Sequence, residues 1–236
     1  MSIKKHIPNA ITCCNLFSGC IACVMAFECE FELAMAFIVL GAVFDFFDGM
    51  VARLLGVSSP LGVQMDSLAD DITFGIAPAT VVYSFLQHEI NFPSCFGVFR
   101  EVLPYLAFLI AVFSACRLAK FNIDTRQTTT FIGLPTPANA LFWSSLVTGG
   151  GKWLCGMDAG WAVVVALILV FSYLLVSEIP MFSMKFKNLS WSSNKIRYIF
   201  LICSLPMLFL GYLAPFAIIL WYLLISIALH FKGAEV

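Results

Sequence analysis

Apolar residues run along this chain in long blocks separated by short polar breaks. Eight blocks stand out, at residues 10–27, 33–54, 66–87, 103–121, 136–149, 160–179, 197–211 and 214–231. Most approach the roughly 20 residues that an α-helix needs to cross a bilayer. The fifth and seventh are the shortest, and dropping or merging a pair leaves six. The last two are divided by Gly211-Tyr212-Leu213-Ala214-Pro215, a combination that favours a tight turn. The pattern therefore predicts an all-α fold: a polytopic transmembrane helix bundle of about eight spans, six being possible, in one domain covering 1–236. No internal repeat or low-complexity tail interrupts it.

Composition agrees. Hydrophobic residues make up 61% of the chain and charged residues 11%, with a mean hydropathy of +0.96. Soluble domains carry about 25% charged residues, so this chain calls for lipid as its solvent. Net charge is −1, and no basic footprint for nucleic acid is present. With the N-terminus placed in the cytoplasm, 11 of the 13 lysines and arginines fall on that side and only Arg100 and Lys152 on the other. Both termini are then cytoplasmic. Lys4 and Lys5 precede the first block as in a signal peptide, but no cleavage site followed by a polar domain appears, so that block is read as a retained helix. Cys20 and Cys23 form a CxxC without a second pair nearby, and small apolar packing accounts for them.

The positions of the acids change the picture more than their number. Asp45 and Asp48 end the second block; Asp66, Asp70 and Asp71 open the third. An ionised carboxylate near hydrocarbon costs at least ~2.5 kcal/mol and marks function by default. Asp45 and Asp48 are i,i+3 and Asp66 and Asp70 i,i+4, so each pair shares a helix face. The connection 54–65 carries Gly56, Ser58, Ser59, Pro60 and Gly62 and should turn the two helices back on each other, bringing the pairs face to face. Four carboxylates in one small volume repel unless neutralised. Shared protons would serve, but hard divalent cations fit better, and two such ions are a standard arrangement for phosphoryl displacement. Gly49 and Ala52 flank the first pair and Gly62 lies one turn before Asp66, leaving room for a ligand or a neighbouring backbone. Arg53 follows, suited to a phosphate or to a membrane anchor.

Together these residues spell Asp45-x2-Asp48-Gly49-x2-Ala52-Arg53-x8-Gly62-x3-Asp66-x3-Asp70. This resembles the signature of the CDP-alcohol phosphotransferase family. Further stretches point within it: Asp66-Ser67-Leu68-Ala69-Asp70 running on to Phe74-Gly75-Ile76-Ala77-Pro78-Ala79, then Arg117-Leu118-Ala119-Lys120-Phe121-Asn122, then Gly133-Leu134-Pro135-Thr136-Pro137-Ala138. These are similar to the membrane-embedded phosphatidylserine synthase branch.

The resemblance implies an enzyme that moves the phosphatidyl group of CDP-diacylglycerol to an alcohol, here L-serine, releasing CMP. It implies two divalent ions, Mg2+ or Mn2+, held by Asp45, Asp48, Asp66 and Asp70, with Asp70 as general base. Gly49, Ala52, Arg53 and Gly62 would line the CDP site, joined by Asn9 and Thr12 from Pro8-Asn9-Ala10-Ile11-Thr12. It also implies a homodimer, set in the inner membrane of a prokaryote with its site facing the cytoplasm. Asp71, about 100° round the helix from Asp70, is left outside the metal site. His6, His88 and His230 lie away from the motif and Ser67 has no evident base, which favours direct attack over a covalent intermediate. A serine acceptor brings a carboxylate, for which Arg117 and Arg126 are the candidate cations and Asn122 a further contact. Another acceptor, such as glycerol 3-phosphate or an inositol phosphate, stays open. A cation transporter would also use intramembrane acids, but gives no reason for the spaced Gly49, Ala52, Arg53 and Gly62.

Overall fold

The computed structural model describes residues 6–93, 96–124, 131–182 and 190–231. These are almost entirely helical. A helical run falls on each of the eight apolar blocks, the sixth and seventh ending short of the block: α1 (His6–Phe27); α2 (Phe31–Leu55); α3 (Pro60–Asp70) continuing into α4 (Ala77–His88); α5 (Phe99–Val102) continuing into α6 (Leu109–Ile123); α7 (Thr136–Cys155); α8 (Gly160–Val176); α9 (Trp191–Met207); and α10 (Ala214–Phe231). Among the described residues, four stretches are long and apolar enough to cross a membrane: His6–Phe27, Phe31–Leu55, Phe99–Ile123 and Asn194–Phe231; Gly160–Val176 is a shorter apolar helix. The last long stretch is broken where expected. Gly211 there adopts φ 59° and ψ −126°, a conformation that a side chain would strain.

Three features depart from the sequence expectation. The connection between the acidic helices is shorter than 54–65, because α2 runs to Leu55 and α3 starts at Pro60. Gly56 closes α2 in the left-handed region at φ 60°, and Val57 N–H returns to the Ala52 carbonyl at 3.0 Å. Ser59 caps α3 by accepting from Gly62 N–H at 3.0 Å, with Pro60 in the first helical position. Second, residues Asp71–Ile76 form a π-helical turn between α3 and α4, a device concentrated at functional sites. Third, two short strands, β1 (Phe131–Ile132) and β2 (Pro180–Met181), pair antiparallel. They clip together the chain on either side of α7 and α8, and Gly133 at φ 75° fits against the Leu175 carbonyl there.

α1 is the organising helix. It packs against α2, α3, α4 and the π-turn. Its buried residues include Pro8, Thr12, Asn15, Gly19, Ala22 and Ala26, a small and polar stripe at alternating spacings of four and three. Such stripes let helices approach closely in lipid. The approach is tightest at Thr73 of the π-turn. A Cβ on Gly19 would lie 2.4 Å from Thr73 Oγ1, and one on Gly41 would lie 2.5 Å from Thr73 Cγ2. The apolar core lies deeper, around Phe74, Leu86, Ile110 and Phe142, where the Phe142 and Phe171 rings stack at 3.8 Å. Large apolar side chains also cover the outside; Phe209 is 94% exposed. An exterior of this kind suits lipid contact.

Candidate active site

The acidic pairs meet at the junction of α1, α2 and α3. Asp45, Asp48 and Asp66 each offer a carboxylate oxygen, and these atoms all lie within 4.8 Å of one another. Asp48 is buried; Asp45, Asp66 and Asp70 are half-buried. Asp70, one turn beyond Asp66, sits within hydrogen-bonding reach of Asp45. Carboxylates this close repel unless a proton or a cation lies among them. A set made only of hard oxygen donors, converging from two helices, fits a hard divalent cation.

Two side chains of α1 hold the acids in place. Thr12 donates its hydroxyl to Asp48 Oδ2 at 2.6 Å. Asn15 donates from Nδ2 to Asp70 Oδ1 at 3.2 Å. Asn15 is itself fixed, because Thr73 Oγ1 donates to its backbone carbonyl at 3.1 Å. Asn15 was missed in the sequence. Its signal is visible in hindsight: Thr12 and Asn15 stand three apart on one face of an otherwise apolar helix, as polar groups do when they serve a neighbour.

Beside the acids lies a cavity of about 160 Å³, lined by Pro8, Asn9 and Thr12 of α1, Asp48, Gly49 and Ala52 of α2, Val57–Ser59 of the turn, and Gly62, Val63 and Asp66 of α3. The structure thus gathers five of the six residues predicted for CDP around one space. A Cβ on Gly49 would meet nothing within 4 Å, so this glycine opens onto the cavity rather than onto a packed backbone. At Gly62 a Cβ would come 3.0 Å from Asn9 Oδ1. The sixth residue, Arg53, is exposed in the last turn of α2 and does not line the cavity.

The acceptor candidates separate. Arg117 of α6 is buried, its guanidinium carbon 6.0 Å from the centre of the Phe121 ring, and its Nε has no hydrogen-bond partner among the described residues. Asn122 is exposed and donates to Ser67 Oγ at 2.8 Å, next to Asp66 in the chain. Lys120 of α6 pairs with Glu178, just past the end of the neighbouring α8. Arg126 lies outside the described residues.

The sequence profile of the family described as CDP-alcohol phosphatidyltransferase matches residues 5–150, which hold every acid of the site. Curated relatives extend the likeness. A CDP-diacylglycerol–serine O-phosphatidyltransferase of Helicobacter pylori is 29% identical over 227 residues, covering 92% of this chain and 91% of that protein. A protein of the same name from Mycobacterium tuberculosis is 31% identical over 241 residues, 97% of this chain and 77% of its own. The Bacillus subtilis protein of that name reaches 38% over 137 residues, 56% of this chain and 70% of its own. With the spaced acids, the small-residue cavity and the profile in agreement, the chain belongs to the CDP-alcohol phosphatidyltransferase family of membrane enzymes.

Proposed function

We propose that this enzyme transfers the phosphatidyl group of CDP-diacylglycerol to L-serine, forming phosphatidylserine and CMP. The observation that carries the reading is the convergence of Asp45, Asp48 and Asp66, with Asp70 alongside, next to a cavity floored by Gly49, Ala52 and Gly62. The serine acceptor draws its support from the named relatives in three bacteria.

In this reading Asp45, Asp48, Asp66 and Asp70 hold two Mg2+ or Mn2+ ions. Such ions, when bound, offset charge on the pyrophosphate and on the departing nucleotide. Asn9, Thr12, Gly49, Ala52 and Gly62 enclose the cytidine diphosphate, and Arg53 approaches it from the rim. The serine hydroxyl oxygen bonds to the lipid-bearing phosphorus as the bond to CMP breaks, and the hydroxyl proton passes to Asp70. Asn15 keeps Asp70 aimed for that transfer. Ser67 is a poor covalent nucleophile: its hydroxyl donates to the Val63 carbonyl at 3.2 Å and accepts from Asn122. Arg117 and Asn122, with Arg126, provide acceptor contacts.

The bundle is read with eight spans, both termini and the site at the cytoplasmic face of a prokaryotic inner membrane, as the lysine and arginine distribution favours. CDP-diacylglycerol then enters sideways from lipid while serine and CMP exchange with water. A homodimer is the expected assembly. The test is an acceptor panel. Purified enzyme with CDP-diacylglycerol and divalent metal should release CMP with L-serine and not with glycerol 3-phosphate or inositol phosphate. Release with a phosphorylated alcohol but not with serine would overturn the assignment.

A further inference from the structure

A second polar cluster lies on the side of the π-turn that faces α6 and α7, apart from the nucleotide cavity. Asp70 and Asp71 are consecutive, but only Asp70 reaches the carboxylate group. Asp71 opens the π-turn against α6. There Gly75 provides the room: a Cβ on it would lie 2.7 Å from Asp71 Oδ1 and 3.1 Å from Ser114 Cβ. Asp71 Oδ1 and Ser114 Oγ are both enclosed, and both lack a hydrogen-bond partner among the described residues. One turn along α6, on the same face as Ser114, is Arg117 with its unpartnered Nε; Arg117 is 7% exposed. From α7, which also packs on the π-turn, comes Asn139. It is 0% exposed, and neither its amide nitrogen nor its amide oxygen has a partner among the described residues.

Buried polar atoms without partners are few in folded proteins and each costs stability. Here donors and acceptors are left open together, on the π-turn and the two helices packed against it. They include an acid, a cation and an amide. That set matches an acceptor that carries both charges. The reading rests on serine as the acceptor proposed above. We infer that Asp71, seconded by Asn139, binds the α-ammonium group of the acceptor, opposite Arg117 on its carboxylate, so that this enzyme selects a zwitterionic alcohol. The acceptor hydroxyl is then presented to the residue next in the chain, Asp70. Asp71 is a specificity residue and takes no proton in the transfer.

The experiment compares serine with glycerate, which keeps the hydroxyl and carboxylate but replaces the ammonium with a second hydroxyl. Serine-dependent CMP release is measured in full-length wild type, Asp71→Asn and Asn139→Ala, with the KM for each substrate and the Ki for glycerate. In Asp71→Asn the serine KM should rise about 10–100-fold, the loss of one charged contact. The KM for CDP-diacylglycerol should stay put, and glycerate should inhibit as well as before or better. Asn139→Ala should shift in the same direction by less, and it reads the pocket independently if Asp71→Asn fails to fold. An unchanged serine KM in either folded variant overturns the inference. So does a glycerate Ki that rises in step with the serine KM, since the defect then has nothing to do with the ammonium. If wild-type enzyme turns over an alcohol other than serine, the reaction assignment itself fails, and that result is distinct from both.

Discussion

Asn15 of α1 reaches across the helix junction to donate to the carboxylate of Asp70, 55 positions further along the chain. The amide oxygen on the other side of Asn15 is enclosed and has no partner among the described residues. The bond fixes which way the Asp70 carboxylate faces. Replacing Asn15 with Ala should therefore lower kcat by about 10–100-fold, the usual effect of removing a group that orients a metal or catalytic ligand. The CDP-diacylglycerol KM should change little, and the metal concentration for half activity should rise. Steady-state rates at a series of Mg2+ or Mn2+ concentrations check this.

Gly49 allows a cleaner test of the nucleotide cavity. Its missing side chain faces open space, so Gly49→Val should fold as wild type. It should still raise the KM for CDP-diacylglycerol by about tenfold or more, since added methyl groups are rejected in a shaped pocket. Thermal unfolding in detergent and substrate titration separate the two effects.

Gly41 should behave in the opposite way. A Cβ there meets Thr73 Cγ2 at 2.5 Å and Asn15 Oδ1 at 2.9 Å. Gly41→Ala overpacks the point where α1, α2 and the π-turn meet and should cost about 1–3 kcal/mol. Because Asn15 is displaced, activity should fall with stability. A lowered melting temperature together with a reduced kcat would bear this out.

The acids themselves predict a strict dependence on divalent metal. Chelation should abolish CMP release, and added Mg2+ or Mn2+ should restore it. Asp66→Asn should require a higher metal concentration for half activity, because one hard ligand of the group within 4.8 Å loses its charge. Titration of activity against free metal measures the shift.

Much of this site is legible in the sequence, for a physical reason. Asp45 with Asp48 and Asp66 with Asp70 are spaced by one helical turn, and charges in apolar helices are too costly to be incidental. The same spacing logic places Gly49, Ala52 and Gly62 around the cavity. The helices too were readable, because hydrocarbon admits little else than helix for a continuous apolar run. What could not be read came from tertiary packing. The π-turn at Asp71–Ile76 has no periodic signature in six residues. Its effect is to set Asp71 against α6, where helical geometry alone only placed it off the metal site. The β1–β2 ladder joins segments far apart in sequence, with two residues in each strand. Arg53 illustrates the converse: its motif position suggests a nucleotide contact, yet its side chain lies on the exposed rim of α2.

The most direct test of the account is the product formed by purified enzyme from CDP-diacylglycerol and L-serine with divalent metal, in wild type and Asp70→Asn. Wild type should yield phosphatidylserine and CMP in equal amounts, and Asp70→Asn, equally well folded, should lose activity by about 10²-fold or more, as removal of a general base does. Phosphatidylserine made by Asp70→Asn at the wild-type rate would contradict the account, because the acids at the α2–α3 junction would then not be where the chemistry occurs.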